Sequence, residues 1–266
     1  MSNIALGRYL PLDSIVHKLD PRYKIIGMLI LLTAIFIPAG FYGYGFLALV
    51  IGSVVMLSKL RFKFIVTAMK PMMLMLFFLL VINVLILKTG YVLVDIYGFK
   101  IYSGAVFQTL YISIRLLLMI MVTTILTATT KPLDLTIAIE DLLSPFKRFH
   151  VPAHEIAMMI SIALRFIPTL IEETDRIMKA QASRGVDLAQ GKLKEKIVGI
   201  LSLIVPLFVS SFQRAEDLAD AMEARGYVPS AQRTRYKQLK ATTRDYIMIV
   251  VVMLVLGVII TLAVVA

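Results

Sequence analysis

Uncharged apolar residues fall into long runs between short charged stretches, and the lengths of those runs predict the elements. The first extends from Ile25 to Ser58 between Lys24 and Lys59, broken by Pro38, Gly40, Gly43 and Gly45. It predicts a tight helical hairpin with arms over about 25–39 and 42–58, each a little short of the roughly 20 residues that cross hydrocarbon. Further membrane helices are predicted over about 71–88, over 103–129 with Arg115 as its sole charge, and over the uncharged 246–266. Between the fourth and fifth lies 131–245, too long for a connection and helical in its periodicity. Leu170, Ile171, Thr174, Ile177 and Met178 form one stripe there, with Glu172, Glu173, Asp175, Arg176 and Lys179 elsewhere around the turn. Pro132 and Pro152 open helices, the first ending near Ser144-Pro145, and Pro168 is expected to bend or interrupt the striped one. A second long helix runs from about Leu193 to Ala224. The run Ile197–Phe212 has 16 uncharged residues with Pro206 near its middle; it and 156–164 are read as helices at or under the membrane surface.

Composition agrees with this reading. Apolar residues make up 59% of the 266, and mean hydropathy is +0.86, more apolar surface than a soluble core of this size can hide. The fold class is therefore an all-α integral membrane protein: domain 1–130 with four membrane helices, a cytosolic or interfacial helical domain 131–245, and a last membrane helix 246–266. An isolated soluble enzyme is excluded. The absence of Cys removes disulfides, thiolate metal sites and a Cys nucleophile.

Charge placement sets the expected orientation. Lys and Arg outside the spans number 4 in 1–24, 4 in 59–70, 2 in 88–100 and 17 in 131–245. Five crossings with a cytosolic N-terminus put every rich segment inside and the C-terminus outside. The net charge of +11 is then the mark of cytoplasmic loops near anionic lipid. Arg233, Arg235, Lys237, Lys240 and Arg244 meet headgroups, and nucleic acid is not expected as a partner. The N-terminal residues do not resemble a cleaved signal.

Two short segments repeat. Ala182-Ser183-Arg184-Gly185 and Glu223-Ala224-Arg225-Gly226 each close one of the long helices, the two arginines standing 41 positions apart. The small residue permits close approach of another backbone, and Gly can take the left-handed conformation that ends a helix. Arg suits the negative end of the helix dipole and presents a planar five-donor group. A single copy is accounted for by a helix C-cap; two copies in one basic segment point to a shared interaction.

With these repeats the chain resembles the transmembrane T component of energy-coupling factor transporters, importers of the ABC superfamily. The small-x-Arg-Gly pairs carry the likeness. It is supported by Leu12-Asp13-Ser14-Ile15-Val16-His17-Lys18-Leu19-Asp20-Pro21-Arg22-Tyr23-Lys24 ahead of the first span and by Leu164-Arg165-Phe166-Ile167-Pro168. The resemblance implies an L-shaped scaffold in a bacterial or archaeal cell membrane, without catalysis of its own. It would couple two ATPase subunits to a small membrane S component that binds vitamins or other micronutrients. Arg184 and Arg225, with Ser183, Gly185, Ala224 and Gly226, match the ATPase-coupling positions; Ser183 stands where Ala is usual, which favours a mixed ATPase pair. ATP and Mg would be held by those partners, with no cofactor on this chain. Arg115, Met158 and Met159 are candidate contacts for the S component, Met because it repacks against different shapes.

Other patterns lead nowhere. The stretch Gly185 to Leu193 resembles a phosphate loop with the wrong spacing and Leu in place of the magnesium-binding hydroxyl, and His154-Glu155 lacks the second His of a zinc helix, Met158 standing there. His17 and His150 have no partner at ligand spacing and are read as solvated or interfacial. A self-sufficient secondary transporter is the alternative function, against which stand the absence of acidic residues within the spans and of evident inverted repeats. Intramembrane catalysis would need a constellation the spans do not contain.

Overall fold

The computed structural model describes residues 9–96, 99–145, 153–185, 193–228 and 238–265. His150, most of the 185–193 loop and the basic Arg233, Arg235 and Lys237 lie outside them, as does the side chain of His154. Among the described residues, eight helices occur in the order α1 (Pro21–Phe36), α2 (Gly40–Leu57), α3 (Phe62–Ile86), α4 (Ser103–Thr129), α5 (Pro132–Leu143), α6 (Ala153–Ser183), α7 (Leu193–Ala224) and α8 (Thr243–Val265). Between α3 and α4, β1 (Val92–Ile96) and β2 (Phe99–Tyr102) pair antiparallel. This small hairpin is the one non-helical addition among the described residues to an all-α membrane protein.

Two units divide the chain: 1–149 with 239–266, and 150–238. In the first, α1 packs against α8, α4 and α5, α2 against α4 and α8, and α3 against α4. Its core is apolar and includes Ile35, Tyr44, Leu47, Ile51, Leu118, Val122, Val255 and Ile259. Local chemistry sets the ends of these helices. Pro21 occupies the first turn of α1, where a missing N–H costs nothing, and the Asp20 carboxylate caps it by accepting from Arg22 N. Gly40 takes φ +64° and opens α2 after the Pro38 break. Helix α3 starts at Phe62, nine residues ahead of the uncharged run, and carries Pro71 inside it. Lys63 and Lys70 extend this helix without breaking it, because a long cationic side chain can reach the interface from the end of a span. Helix α5 packs on α1 and belongs with the first unit, although its sequence reads as the start of the cytosolic segment.

Among the described residues, five helices have the length and apolarity to cross a bilayer: α2, α3, α4, α7 and α8. At 16 residues, α1 is about 24 Å long, less than the hydrocarbon thickness. The uncharged-run reading had placed a crossing at α1 and a surface helix at α7. By length and apolarity α7 qualifies and α1 falls short, but α1 packs against α4 and α8 within the apolar bundle, and α7 is long because it continues into a polar half that the uncharged run does not include.

In the second unit, α6 and α7 are continuous through Pro168 and Pro206 respectively. Pro168 therefore does not interrupt α6. The α6 stripe of Leu170, Ile171, Thr174, Ile177 and Met178 is partly buried, whereas Glu172, Arg176 and Lys179 are exposed.

Candidate functional site

Each of the two repeated segments ends its helix on a glycine with positive φ. At the end of α7, Gly226 has φ +70°, Gly226 N donates to Glu223 O at 2.8 Å and Tyr227 N donates to Met222 O at 2.9 Å. This pair of bonds satisfies carbonyls that the helix end would otherwise leave unpaired, and it is the Schellman arrangement with Gly at the first residue past the cap. At the end of α6, Gly185 has φ +85° and its N donates to Ala182 O at 3.0 Å. A Cβ on either glycine would meet no neighbour within 4 Å. Glycine is required there by backbone conformation alone.

This geometry fixes where the arginines stand. Arg184 and Arg225 occupy the cap position, the last residue before the left-handed turn, and both are exposed, as are Ser183 and Ala224. Neither guanidinium forms an ion pair among the described residues. The Ser183 hydroxyl is turned back onto its own helix, donating to Lys179 O at 3.0 Å, so it presents little more bulk than the Ala224 counterpart.

The two tips point away from each other. Gln181 Nε2 donates to Ser202 O at 3.3 Å, Arg214 Nη2 donates to Glu173 Oε2 at 3.2 Å, and Phe166 and Met158 share a groove with Leu218 and Met222. Partners thus run down α7 as residues run up α6, which makes the pair antiparallel. Arg184 and Arg225 then sit at opposite ends, on the order of 40 Å apart by helix rise. The groove measures ≈ 300 Å³. Outside it, Ile197, Val198, Ile204, Val205, Phe208 and Phe212 of α7 are each more than half exposed, an apolar surface too large to be left to water.

Of the other candidates, Met158 lines the groove and is half-buried, while Met159 is 59% exposed. Arg115 is committed within the chain: Nε donates to Ile35 O at 3.2 Å, Nη2 donates to Phe36 O, and the guanidinium lies 5.3 Å from the centre of the Phe36 ring. His17 is half-buried, and its ring bridges Ser14 Oγ and Leu10 O.

Sequence reasoning passed over an ionic cluster at the N-terminal ends of α1 and α8. Asp245 is fully buried and accepts from Asp20 N at 2.8 Å and from Thr242 N and Oγ1 at 2.7 Å each. The Arg22 guanidinium holds Asp20, donating from Nη2 to Oδ2 at 2.7 Å. The signal was present in an acid standing at the start of an otherwise charge-free run, where an unpaired carboxylate would be costly.

Comparison with known proteins accords with this geometry. The family model CbiQ, described as cobalt transport protein, matches residues 13–236. The energy-coupling factor transporter transmembrane protein EcfT of Bacillus subtilis (strain 168) is 44% identical over 250 residues, covering 94% of each chain. That of Macrococcus caseolyticus (strain JCSC5402) is 46% identical over 245 residues, covering 92% of each, and that of Staphylococcus aureus (strain 04-02981) is 43% identical over 246 residues, again covering 92% of each. With matches of this identity and extent, the chain belongs to the family of energy-coupling factor transporter transmembrane components.

Proposed function

We propose that this chain is the non-catalytic scaffold that couples two ABC-type ATPase subunits to a substrate-binding S component for uptake of vitamins or other micronutrients. The single observation that carries this reading is the pair of like helix ends: Arg184 and Arg225, each exposed at a cap position and followed by a left-handed glycine. Two like tips facing opposite ways suit two like partners. A guanidinium offers bidentate, oriented hydrogen bonds to carboxylates, so each tip both attracts an ATPase and fixes its angle. ATP and Mg belong to the ATPases; binding there moves the tips, and α6 and α7 carry that displacement toward the membrane partner. The inequality of Ser183 and Ala224 favours a mixed ATPase pair.

The S component, or lipid beside it, would cover the apolar face of α7, with Met159 and Met158 as adaptable contacts. Arg115 already has partners of its own, so any part it takes in that contact would be through its exposed edge. The orientation follows the positive-inside bias: α1 to α4 and α8 cross, the N-terminus and the α6–α7 pair are cytosolic, and the C-terminus is outside. Mild-detergent purification of the tagged chain, with identification of copurifying polypeptides, tests the reading. Two nucleotide-binding subunits and one small membrane protein are expected; transport by the isolated chain in vesicles would favour a self-sufficient transporter.

A further inference from the structure

The chain leaves the first unit beyond α5 and returns to it at Leu239. Two covalent connections therefore join 150–238 to the first unit. One side chain holds both. Arg22, in the first turn of α1, donates from Nη1 to Asp141 Oδ2 at 3.4 Å, in the last turn of α5, and from Nη2 to the Leu239 carbonyl oxygen at 3.2 Å. Its own position is fixed by Asp20, through Nε to Oδ1 at 3.2 Å and Nη2 to Oδ2 at 2.7 Å. Asp20 in turn is stitched to the start of α8 through its backbone N–H on Asp245 Oδ1. The side chain of Asp20 is 2% exposed and that of Arg22 26%, so these charged contacts are shielded from the screening that weakens surface pairs.

From this arrangement we propose that Arg22 is a positioning residue for energy coupling: it pins the outgoing and returning connections to the N-terminal ends of α1 and α8, so that movement of the α6–α7 unit is delivered to the membrane helices instead of being absorbed in the connections. The inference rests on the scaffold reading above. A planar guanidinium with donors on three sides can hold two connections and a carboxylate at once, which neither a single ammonium nor an amide can do.

Hydrogen–deuterium exchange on the purified complex with its ATPases, with and without a non-hydrolysable ATP analogue and Mg, tests the proposal without knowledge of the cargo. In the unaltered complex the analogue is expected to change exchange both in 153–228 and at the ends of the membrane helices, in 20–26 and 242–250. In Arg22→Gln the change in 153–228 persists, while that in 20–26 and 242–250 shrinks by about fivefold or more, the lower range of a typical coupling factor. Asp141→Asn, which removes the charge from the Arg22–Asp141 contact and leaves the Leu239 contact in place, gives an intermediate loss and serves if Arg22→Gln disturbs the nucleotide-free bundle. An undiminished response at the membrane helices in both variants overturns the proposal. Failure of the ATPases to copurify with the unaltered chain, or no response to the analogue anywhere in it, refutes the scaffold reading instead.

Discussion

Arg115, in the middle of α4, donates from Nε to the carbonyl oxygen of Ile35 at 3.2 Å and so closes the C-terminal end of α1. Helix α1 stops after 16 residues, and its last carbonyls need partners from outside the helix. The charge is also complementary to the negative end of the α1 dipole. A cation in a membrane helix is thereby explained by the shortness of its neighbour. Tyr44 adds a second donor, its hydroxyl reaching Ile35 O at 3.1 Å.

Truncating that donor exposes the cost. Arg115→Ala removes the donors to Ile35 O and to the exposed Phe36 O, and with Tyr44 still on Ile35 O it is expected to destabilise the bundle by about 1 kcal/mol. Thermal unfolding in detergent, followed by size-exclusion, measures it. Arg115→Lys retains charge but only a point donor, so an intermediate midpoint is expected; an unchanged midpoint for Ala would mean that the α1 end finds other partners.

Acidification loosens the segment ahead of α1. Burial lowers the His17 pKa below its ordinary 6.5, and its ring is held between Ser14 Oγ at 2.7 Å and Leu10 O at 3.0 Å. A neutral ring with hydrogen on Nε2 donates to Leu10 and accepts from Ser14; a proton on Nδ1 removes that acceptor. Because the folded value lies below the unfolded one, the unfolded state binds the proton more readily. The stabilisation is therefore full above pH of about 6.5 and is lost as pH falls through the folded value. Exchange of residues 9–19, corrected for intrinsic rates, is expected to rise between pH of about 7.5 and about 5.5, and His17→Asn is expected to remove the step.

The tip glycines answer to backbone conformation and not to crowding. Gly185→Ala and Gly226→Ala each force a Cβ into the left-handed region at a cost of roughly 1–2 kcal/mol, whereas Asn is tolerated better. ATPase copurification is expected to weaken with Ala and to be largely restored with Asn. Equal loss for both substitutions would show that side-chain bulk, and not the turn, is what matters at the partner surface.

Ser183 allows a sharper distinction. Its hydroxyl bonds to Lys179 O within α6, so Ser183→Ala is expected to shift stability by less than about 0.5 kcal/mol. Any change in which ATPase copurifies then reports recognition of the hydroxyl, measured by the ratio of the two nucleotide-binding chains recovered.

The helix ends are legible in the sequence because their chemistry is local. Pro132 opens α5, and Gly185 and Gly226 are glycines that must take positive φ at the close of periodic segments. What sequence reading misses is carried by partners far along the chain. The acceptor of Arg115 lies 80 residues away and the Asp20 N–H that donates to Asp245 lies 225 away, and no periodicity encodes such pairs. Charge counting also misjudges where helices begin: α3 takes in Lys63 and Lys70 because long side chains can reach out of the apolar layer. The antiparallel course of α6 and α7 is equally hidden, since the stripe on each helix says which face is covered but not the direction of what covers it.

The most direct test reverses charge at both tips. With Arg184→Glu and Arg225→Glu together, the protein is expected to remain membrane-inserted and stable, since neither side chain holds the fold. Copurification of the ATPases and uptake are expected to be lost, each broken contact costing about 2–5 kcal/mol when desolvated. Full ATPase recovery and normal uptake by the double variant would contradict the claim that these two guanidinium groups carry the coupling.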